Sequence, residues 1–247
     1  MIKKDGKYYF DLDNLGNKMK GNEKVVILCS PHNPGGRVWT ESEQKEIAYF
    51  CKKHNLLLII DEIHSDLVYS DKKHITFPNV NQDFFKDFIL MTSTTKTFNI
   101  AGGLMGNVII PNDLLRDKFQ KENLATGETP NRFGMMLGEE AMRSGSQWLN
   151  DLLHYLEKNK NIFDNEINNV KNLNSMKIDS TYLAWVDFSK TGETEKTNLR
   201  KLTYCANIIT KRGSTFGLGG DNHFRFNLAT SSELIKKSAE RIKSIFK

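Results

Sequence analysis

The chain has 247 residues, of which 38% are hydrophobic and 26% charged, with a formal net charge of +5. This composition is typical of a globular protein of one large or two smaller domains, and no apolar run approaches the roughly 20 residues of a membrane-spanning helix. The lysines are dispersed and the cysteines and histidines are scattered, so the sequence argues against a nucleic-acid surface and a metal site and indicates structural thiols.

The beginning of the chain predicts a peripheral strand in a cytoplasmic protein. MIKKDGKYYF has lysines but no apolar segment behind them, which argues against a secretory signal. GKYYFDLDNL, residues 6–15, alternates weakly and then stops at glycines, so we expect a short strand followed by a loop.

Residues 24–60 predict a strand, helix, strand unit. KVVILCS (24–30) and LLLII (56–60) are apolar runs typical of strands that are buried on both faces of a parallel sheet. Between them, Thr40 and Glu43 form the pattern of a capping box, which places the start of a helix there. The connection is long enough for a right-handed parallel crossover.

Two more apolar runs follow, FILMTS (88–93) and NVIIP (107–111). The segments PHNPGG, DEIHSD and TSTTK lie at the carboxyl ends of three of the predicted strands. In open α/β sheets the ligand crevice lies beyond the carboxyl ends of the strands. We therefore expect these three loops to converge although they are far apart in sequence.

After residue 111 the predicted secondary structure changes from strands of one sheet to long helices followed by separate strands. Two helices are predicted after residue 111, the second long enough to bridge two domains, and then a strand in KIDSTYLAWVDFS, a helix, a strand in NHFRFNLA and a terminal helix from about Ser232. We place a domain boundary near residue 150, which divides the chain into 1–150 and 151–247.

The polar residues of the three loops each have an ordinary structural interpretation. Asp61, at a strand end, could cap the next turn, and Asn33, between two prolines, could be a plain turn residue. His64 by itself is more often a satisfied core histidine. Lys96 lies among hydroxyl groups and glycines after an apolar run, where a partly desolvated amine is a nucleophile able to form a Schiff base with an aldehyde. Asp61 could then be the acid opposite a protonated pyridine nitrogen.

Together these motifs resemble those of the fold-type I pyridoxal-phosphate enzymes. NPGG, DEIHSD and STTKTFN, with PNRFG, TYLAWVDF, GSTFG and HFRFNLA, are similar to the MalY/PatB-type cystathionine β-lyases of the aminotransferase class I/II family. The resemblance implies an α/β fold of the aspartate aminotransferase type. Residues 1–150 would be the C-terminal part of the large cofactor-binding domain with a mostly parallel sheet, and residues 151–247 a smaller α+β domain.

The resemblance also implies residue roles. Lys96 would bind the cofactor, pyridoxal 5'-phosphate, covalently and move the substrate α-proton. Asp61 would hold the pyridine nitrogen, Asn33 and His64 would lie near the phenolic oxygen, and Ser93 would contact the phosphate. Arg225 would clamp the substrate carboxylate, with Asn33 beside it, because a guanidinium fork fits a carboxylate bidentately.

The reaction implied by this resemblance is β-elimination from a sulfur amino acid such as cystathionine or cysteine, which yields a thiol, pyruvate and ammonia. Transamination is the nearest alternative, since it starts from the same proton abstraction. Aminotransferases of the superfamily often carry an arginine about eight residues after the lysine, where this chain has Leu104, and this difference favours the lyase subgroup.

Family members resemble this chain only after a long upstream segment, so we expect a C-terminal portion of the family fold, with about half of the cofactor cradle. In the full-length family the assembly would be a homodimer. A noncatalytic interaction module is the alternative from another class.

Overall fold

The computed structural model describes residues 1–81 and 85–246. Two hydrophobic cores form, each on a four-stranded sheet. The strands are β1 (Ile2–Lys4), β2 (Lys7–Tyr9), β3 (Val25–Cys29), β4 (Leu57–Asp61), β5 (Phe88–Thr92), β6 (Asn107–Ile109), β7 (Asn174–Ser175), β8 (Leu183–Asp187), β9 (Lys211–Arg212) and β10 (His223–Asn227). The α-helices are α1 (Leu12–Lys18), α2 (Glu41–Lys53), α3 (Phe77–Asn81), α4 (Thr94–Thr97), α5 (Asp113–Thr126), α6 (Arg132–Ser144), α7 (Ser146–Asn168), α8 (Glu195–Arg200) and α9 (Ser232–Ile245).

The first sheet has the order β3-β4-β5-β6. Strands β3, β4 and β5 are parallel, and β6 runs antiparallel to β5. The four apolar runs that predicted strands correspond to these four strands. One face of the sheet packs on α2, where Ile47 and Cys51 are buried together with Leu58 and Ile60 of β4. Cys51 is a free thiol, as are the other two cysteines.

The start of α2 follows the local pattern of the sequence. The Thr40 hydroxyl accepts a hydrogen bond from the Glu43 backbone amide at 3.2 Å, and the Glu43 carboxylate accepts one from the Thr40 amide at 2.8 Å. The predicted capping box is therefore present. Because it satisfies amides that a helix start leaves free, it fixes where the crossover from β3 to β4 begins.

The second sheet is antiparallel, in the order β7-β8-β10-β9. Helices α7 and α9 pack against each other, and the core between them and the sheet contains Phe163, Val186, Phe224 and Ala239. The helix predicted in NLRKLTYCANIITKRG is shorter than expected. Helix α8 continues only as a π-helical turn to Cys205, because Asn207 has a left-handed φ of 54°.

The first residues differ from the prediction of one strand followed by a loop. Strands β1 and β2 form a hairpin across Asp5 and Gly6, both with positive φ, and α1 follows where a loop was expected. An Asp-Gly pair is a strong signal for a tight hairpin turn, and it supplies the reason for the difference. Lys7 pairs with Asp179 at 2.5 Å, which ties the hairpin to the second half of the chain.

The predicted boundary at residue 150 lies inside α7, which leaves the division into 1–150 and 151–247 a prediction. Helix α7 is 23 residues long and contributes to the second core through Leu156, Phe163 and Ile167. Across residues 1–81 and 85–246, no helix has both the length and the apolar character needed to cross a membrane.

Candidate active site

The three predicted loops meet at the carboxyl edge of the first sheet. The strand register aligns Cys29 of β3 with Asp61 of β4, and Asp61 with Met91 of β5. Asn33 therefore follows the end of one strand, Asp61 ends the next, and Lys96 follows the third. The structure thus places all three residues at the same edge of the sheet, the edge where α/β sheets form ligand sites.

The two carboxylate oxygens of Asp61 differ in their hydrogen bonding. Its Oδ1 accepts a hydrogen bond from the Ile63 amide at 3.1 Å, so the capping role considered from sequence is present. Among the described residues Oδ2 has no hydrogen-bond donor, so the half-buried side chain can accept a further bond. The two roles of Asp61 are compatible.

Glu62, the next residue, ties the end of β4 to residues 74–77 and to the end of β5. Its buried carboxylate accepts hydrogen bonds from the Thr76 hydroxyl at 2.6 Å and the Phe77 amide at 2.8 Å, and His74 Nε2 lies 3.1 Å away. The Glu62 amide donates to the Met91 carbonyl at 2.8 Å. Glu62 thus fixes the ends of β4 and β5 relative to each other. Sequence reasoning missed this residue, because its partners lie in a segment without a recognisable motif.

His64 is a buried neutral imidazole facing the crevice. Its side chain is 3% exposed, its ring lies edge-on to Tyr182 at 5.7 Å, and Nδ1 is buried without a hydrogen-bond partner in the described structure. Burial, and then the positive charges of Lys96 and Arg225, lower the pKa of His64 to about 4. At neutral pH this histidine offers an uncharged ring nitrogen.

Lys96 lies on the short helix α4, which Ser93 caps at its N-terminus. The Ser93 hydroxyl accepts a hydrogen bond from the Thr95 amide at 3.1 Å and donates one to the Met105 carbonyl at 2.7 Å. Thr97, fully buried, donates to the Asp66 carboxylate at 2.8 Å, which joins α4 to the turn that carries His64. These contacts hold both sides of the Lys96 backbone.

The Lys96 side chain is half-buried at a cleft of about 370 Å³ that Trp148, Tyr155 and Tyr182 also line. Within residues 1–81 and 85–246 it has no ion-pair partner. An amine without a carboxylate beside it is available for chemistry in the crevice, in contrast to a lysine held in a surface ion pair.

Arg225 reaches the crevice from the second sheet. Its Nη1 donates a hydrogen bond to Asn33 Oδ1 at 2.9 Å, and its guanidinium lies 4.9 Å from the centre of the Phe216 ring. Burial lowers the pKa of Arg225, and no carboxylate of the described residues forms an ion pair with it. The contact joins the two halves of the chain at a positive group that lacks a counter-charge.

Cys29 supports the Asn33 loop. Its thiol donates to the Pro31 carbonyl at 3.3 Å and accepts from the Asn33 amide at 3.4 Å. Burial, together with the negative charge of Asp61, raises the pKa of Cys29 to about 11, although the Asn33 amide acts in the opposite direction. The group therefore stays a thiol and serves as a hydrogen-bonding support.

The donor set fits an aldehyde cofactor with a pyridine ring. Within residues 1–81 and 85–246, Lys96 supplies an amine without an ion-pair partner and Asp61 a carboxylate. In the same ranges Asn33 supplies an amide nitrogen that its bond to Arg225 leaves unused, and His64 a ring nitrogen without a hydrogen-bond partner. A buried nitrogen left unpaired carries a free-energy cost that a ligand oxygen would remove. Ser93 is placed at the same strand end, but its hydroxyl proton is already donated to Met105. The roles of these residues stay predictions.

The comparisons with known proteins agree with one another. A profile of the family described as aminotransferase class I and II matches residues 2–242. Cystathionine beta-lyase PatB of Bacillus subtilis is 33% identical over 250 residues, covering 99% of this chain and 64% of that protein. Two solved structures are similar: cystalysin of Treponema denticola, which contains pyridoxal 5'-phosphate, and the pyridoxal-phosphate-bound C-S lyase of Staphylococcus hominis. Their identities are 32% and 30% and their TM-scores 0.93 and 0.91, and each match covers 99% of this chain and 63% of the other. The chain thus spans less than two thirds of the length of these proteins.

Proposed function

The chain belongs to the aminotransferase class I and II family, which depends on pyridoxal phosphate, and we propose that it is a carbon-sulfur β-lyase acting on cystathionine or related cysteine-type amino acids. The observation that carries the proposal is the pair formed by Arg225 and Asn33 at a crevice that also holds Lys96 and Asp61. The reaction would be β-elimination of the thiol, after which water hydrolyses the remaining enamine to pyruvate and ammonia.

Arg225 would bind the amino acid through its α-carboxylate. Its guanidinium is half-buried and has a neutral hydrogen-bond partner in Asn33 instead of an acid. A carboxylate would supply the missing negative charge and accept two parallel N–H bonds, which fixes the orientation of the amino acid as well as its affinity. Phe216 limits how the guanidinium can turn.

Lys96 would remove the proton from the substrate α-carbon. Pyridoxal phosphate, when bound, supplies a pyridine ring that takes up the electron pair left on that carbon. Asp61 would hold the proton of the ring nitrogen through its free Oδ2. His64, neutral at pH 7, would donate or accept one hydrogen bond through Nδ1 without adding a charge beside Lys96.

After the α-proton has moved to Lys96, the β-carbon to sulfur bond breaks and the sulfur leaves with that bond's electron pair. The ammonium form of Lys96 is then an acid able to protonate the leaving thiolate.

Support for elimination in preference to transamination comes from the lyases among the most similar relatives. Transamination is the second candidate, because the family name includes it and its first proton transfer is the same. A cytoplasmic homodimer remains part of the proposal.

The test is made on the purified 247-residue chain with added pyridoxal phosphate. We expect a visible absorbance band that free cofactor lacks and that Lys96→Ala abolishes, while Lys190→Ala, at an exposed lysine, retains it. Cystathionine is then added with and without a 2-oxo acid. Catalytic release of pyruvate and thiol without the 2-oxo acid supports the lyase, whereas turnover that requires it identifies an aminotransferase. A band that Lys96→Ala retains contradicts the assignment of Lys96.

A further inference from the structure

The segment that leads into β8 is polar and yet buried. Asp179, Ser180 and Thr181 are 5%, 0% and 1% exposed. Burial of a polar group is unfavourable unless that group is hydrogen-bonded, so a segment of this kind is stable only where its contacts are made. Its hydrogen bonds therefore show which parts of the chain hold it.

On one side the segment is bound to the loop that carries Asn33. The Gly36 carbonyl accepts hydrogen bonds from the Asp179 amide at 2.7 Å and from the Ser180 hydroxyl at 3.2 Å. Gly36 has a φ of +62°, and a β-carbon added there would lie 2.3 Å from Cγ2 of Ile178. The close approach of the loop and the segment thus depends on this glycine.

On the other side the segment is bound to the turn that carries His64. The Leu67 amide donates to the His64 carbonyl at 3.0 Å, and the Leu67 carbonyl accepts from the Thr181 amide at 2.7 Å. The Tyr69 hydroxyl donates to the Thr181 carbonyl at 2.6 Å. The segment is therefore fixed to two of the three loops that meet at the carboxyl edge of the first sheet.

Thr181 has a left-handed backbone conformation, with a φ of +68°. This conformation is rare for a β-branched residue, and such strain persists where surrounding contacts impose it, most often at functional sites. Leu67 and Tyr69 bind the Thr181 backbone, and the Thr181 hydroxyl accepts a hydrogen bond from the Leu183 amide at 3.2 Å. These contacts fix the direction in which the chain presents the next residue, Tyr182.

Tyr182 lies at the cleft beside Lys96. It lines that cleft together with Asn227, and its ring lies edge-on to His64 at 5.7 Å. Asn227 follows Arg225 by two positions on β10, so both side chains point to the same face of the second sheet. In the part of the chain that the structure describes, the Tyr182 hydroxyl has no hydrogen-bond partner.

The Tyr182 side chain is a neutral hydrogen-bond donor near Arg225. Burial raises the pKa of Tyr182, although the positive charge of Arg225 acts in the opposite direction. The phenol therefore keeps its proton at neutral pH and can donate it in a hydrogen bond. Arg225 has no ion-pair partner among the described residues, so a carboxylate is the group that both side chains can bind together.

We propose that Tyr182 is a further substrate-binding residue, whose hydroxyl donates a hydrogen bond to the α-carboxylate that Arg225 binds. This inference rests on the proposed function, because it takes an amino acid as the ligand. The contacts of residues 179–181 hold the phenol at the crevice before a ligand arrives, so the hydrogen bond forms without reorganisation of the backbone.

The experiment titrates two ligands into the 247-residue chain and follows the ζ carbons of isotope-labelled tyrosine and arginine by NMR. L-Alanine carries the α-amino and α-carboxylate groups without a leaving group, and ethylamine is the same molecule without the carboxylate. Tyr182→Phe and Arg225→Lys assign the two signals. We expect L-alanine to shift the Tyr182 and Arg225 signals with one dissociation constant, and ethylamine to shift neither.

Tyr182→Phe should raise the dissociation constant of L-alanine, measured at the Arg225 signal, about tenfold, because it removes one hydrogen bond to a charged group and keeps the ring. Tyr204→Phe is the matched control, since Tyr204 is 76% exposed, and it should leave the dissociation constant unchanged. A purely structural role of Tyr182 would not make its signal distinguish L-alanine from ethylamine.

Two outcomes overturn the inference and leave the proposed function standing. One is an Arg225 signal that responds to L-alanine while the Tyr182 signal does not, and the other is equal affinity of the wild type and Tyr182→Phe for L-alanine. If neither signal responds to L-alanine, the assignment of Arg225 to the carboxylate fails, and the inference fails with it. Circular dichroism of Tyr182→Phe verifies that the variant has the wild-type fold.

Discussion

His64 makes the folded chain sensitive to mild acid, and replacing it with glutamine should remove that part of the pH dependence. Its pKa falls to about 4 because of burial and the charges of Lys96 and Arg225, whereas an unfolded histidine titrates near 6.5. Between these two values the unfolded chain binds the proton and the folded chain does not. Stability from this group is therefore fully present above pH 6.5 and is lost as the pH falls toward 4. The loss from pH 7 to pH 5 is about 2 kcal/mol.

The assay is urea unfolding at pH 7 and pH 5, with the free energy of unfolding taken at each pH. We expect the wild-type protein to lose about 2 kcal/mol more than His64→Gln over this interval. His154→Gln, at an exposed histidine on α7, controls for the loss of one imidazole. The other acidic and basic groups titrate in both proteins, so their contributions cancel when the pH-dependent change in the free energy of unfolding of His64→Gln is subtracted from that of the wild type. An identical pH dependence in wild type and His64→Gln would refute a buried neutral His64.

Three further substitutions test contacts around the first sheet, each by urea unfolding at pH 7. Thr40→Ala removes the capping box of α2 and should lower the free energy of unfolding by about 1 kcal/mol, whereas Thr40→Ser should retain most of the wild-type stability. Equal stability of the wild type and both variants would contradict the capping role. Leu104 has a φ of +46° and is 79% exposed, so Leu104→Gly should raise the free energy of unfolding by about 0.5 to 1 kcal/mol, because it removes left-handed backbone strain. A lower free energy of unfolding would show that the Leu104 side chain has a packing partner. Glu62→Ala leaves the buried Phe77 amide and the partly buried Thr76 hydroxyl without their acceptor and should lower the free energy of unfolding by about 3 kcal/mol, against about 1 for Glu62→Gln; equal losses would mean that only the charge matters.

The parts of the fold that the sequence predicts are those with local causes. Strands β3 to β6 follow from continuous apolar runs, and the start of α2 follows from Thr40 and Glu43, which satisfy each other within four residues. The meeting of the three loops needed one global rule, that ligand sites form at the carboxyl ends of parallel strands, and the register of Asp61 agrees with it.

The contacts that sequence reasoning missed join residues far apart in the chain. Glu62 binds Thr76 and Phe77, and Thr97 binds Asp66, without any motif that marks the partners. The direction of the Glu62 side chain depends on the backbone just after the end of β4, and DEIHSD alone does not determine this. The sequence therefore predicts which strand ends lie together better than it predicts the contacts that hold them.

The bond between Arg225 and Asn33 shows why a site of this type needs both halves of the chain. Arg225 lies on β10 of the second sheet and Asn33 follows β3 of the first, 192 positions earlier. Asn33 positions the guanidinium but leaves its charge uncompensated, and burial already lowers the pKa of Arg225. The contact holds in place a guanidinium that has no ion-pair partner among the described residues, and under the proposed function a carboxylate bound to it would gain both the charge and a fixed orientation.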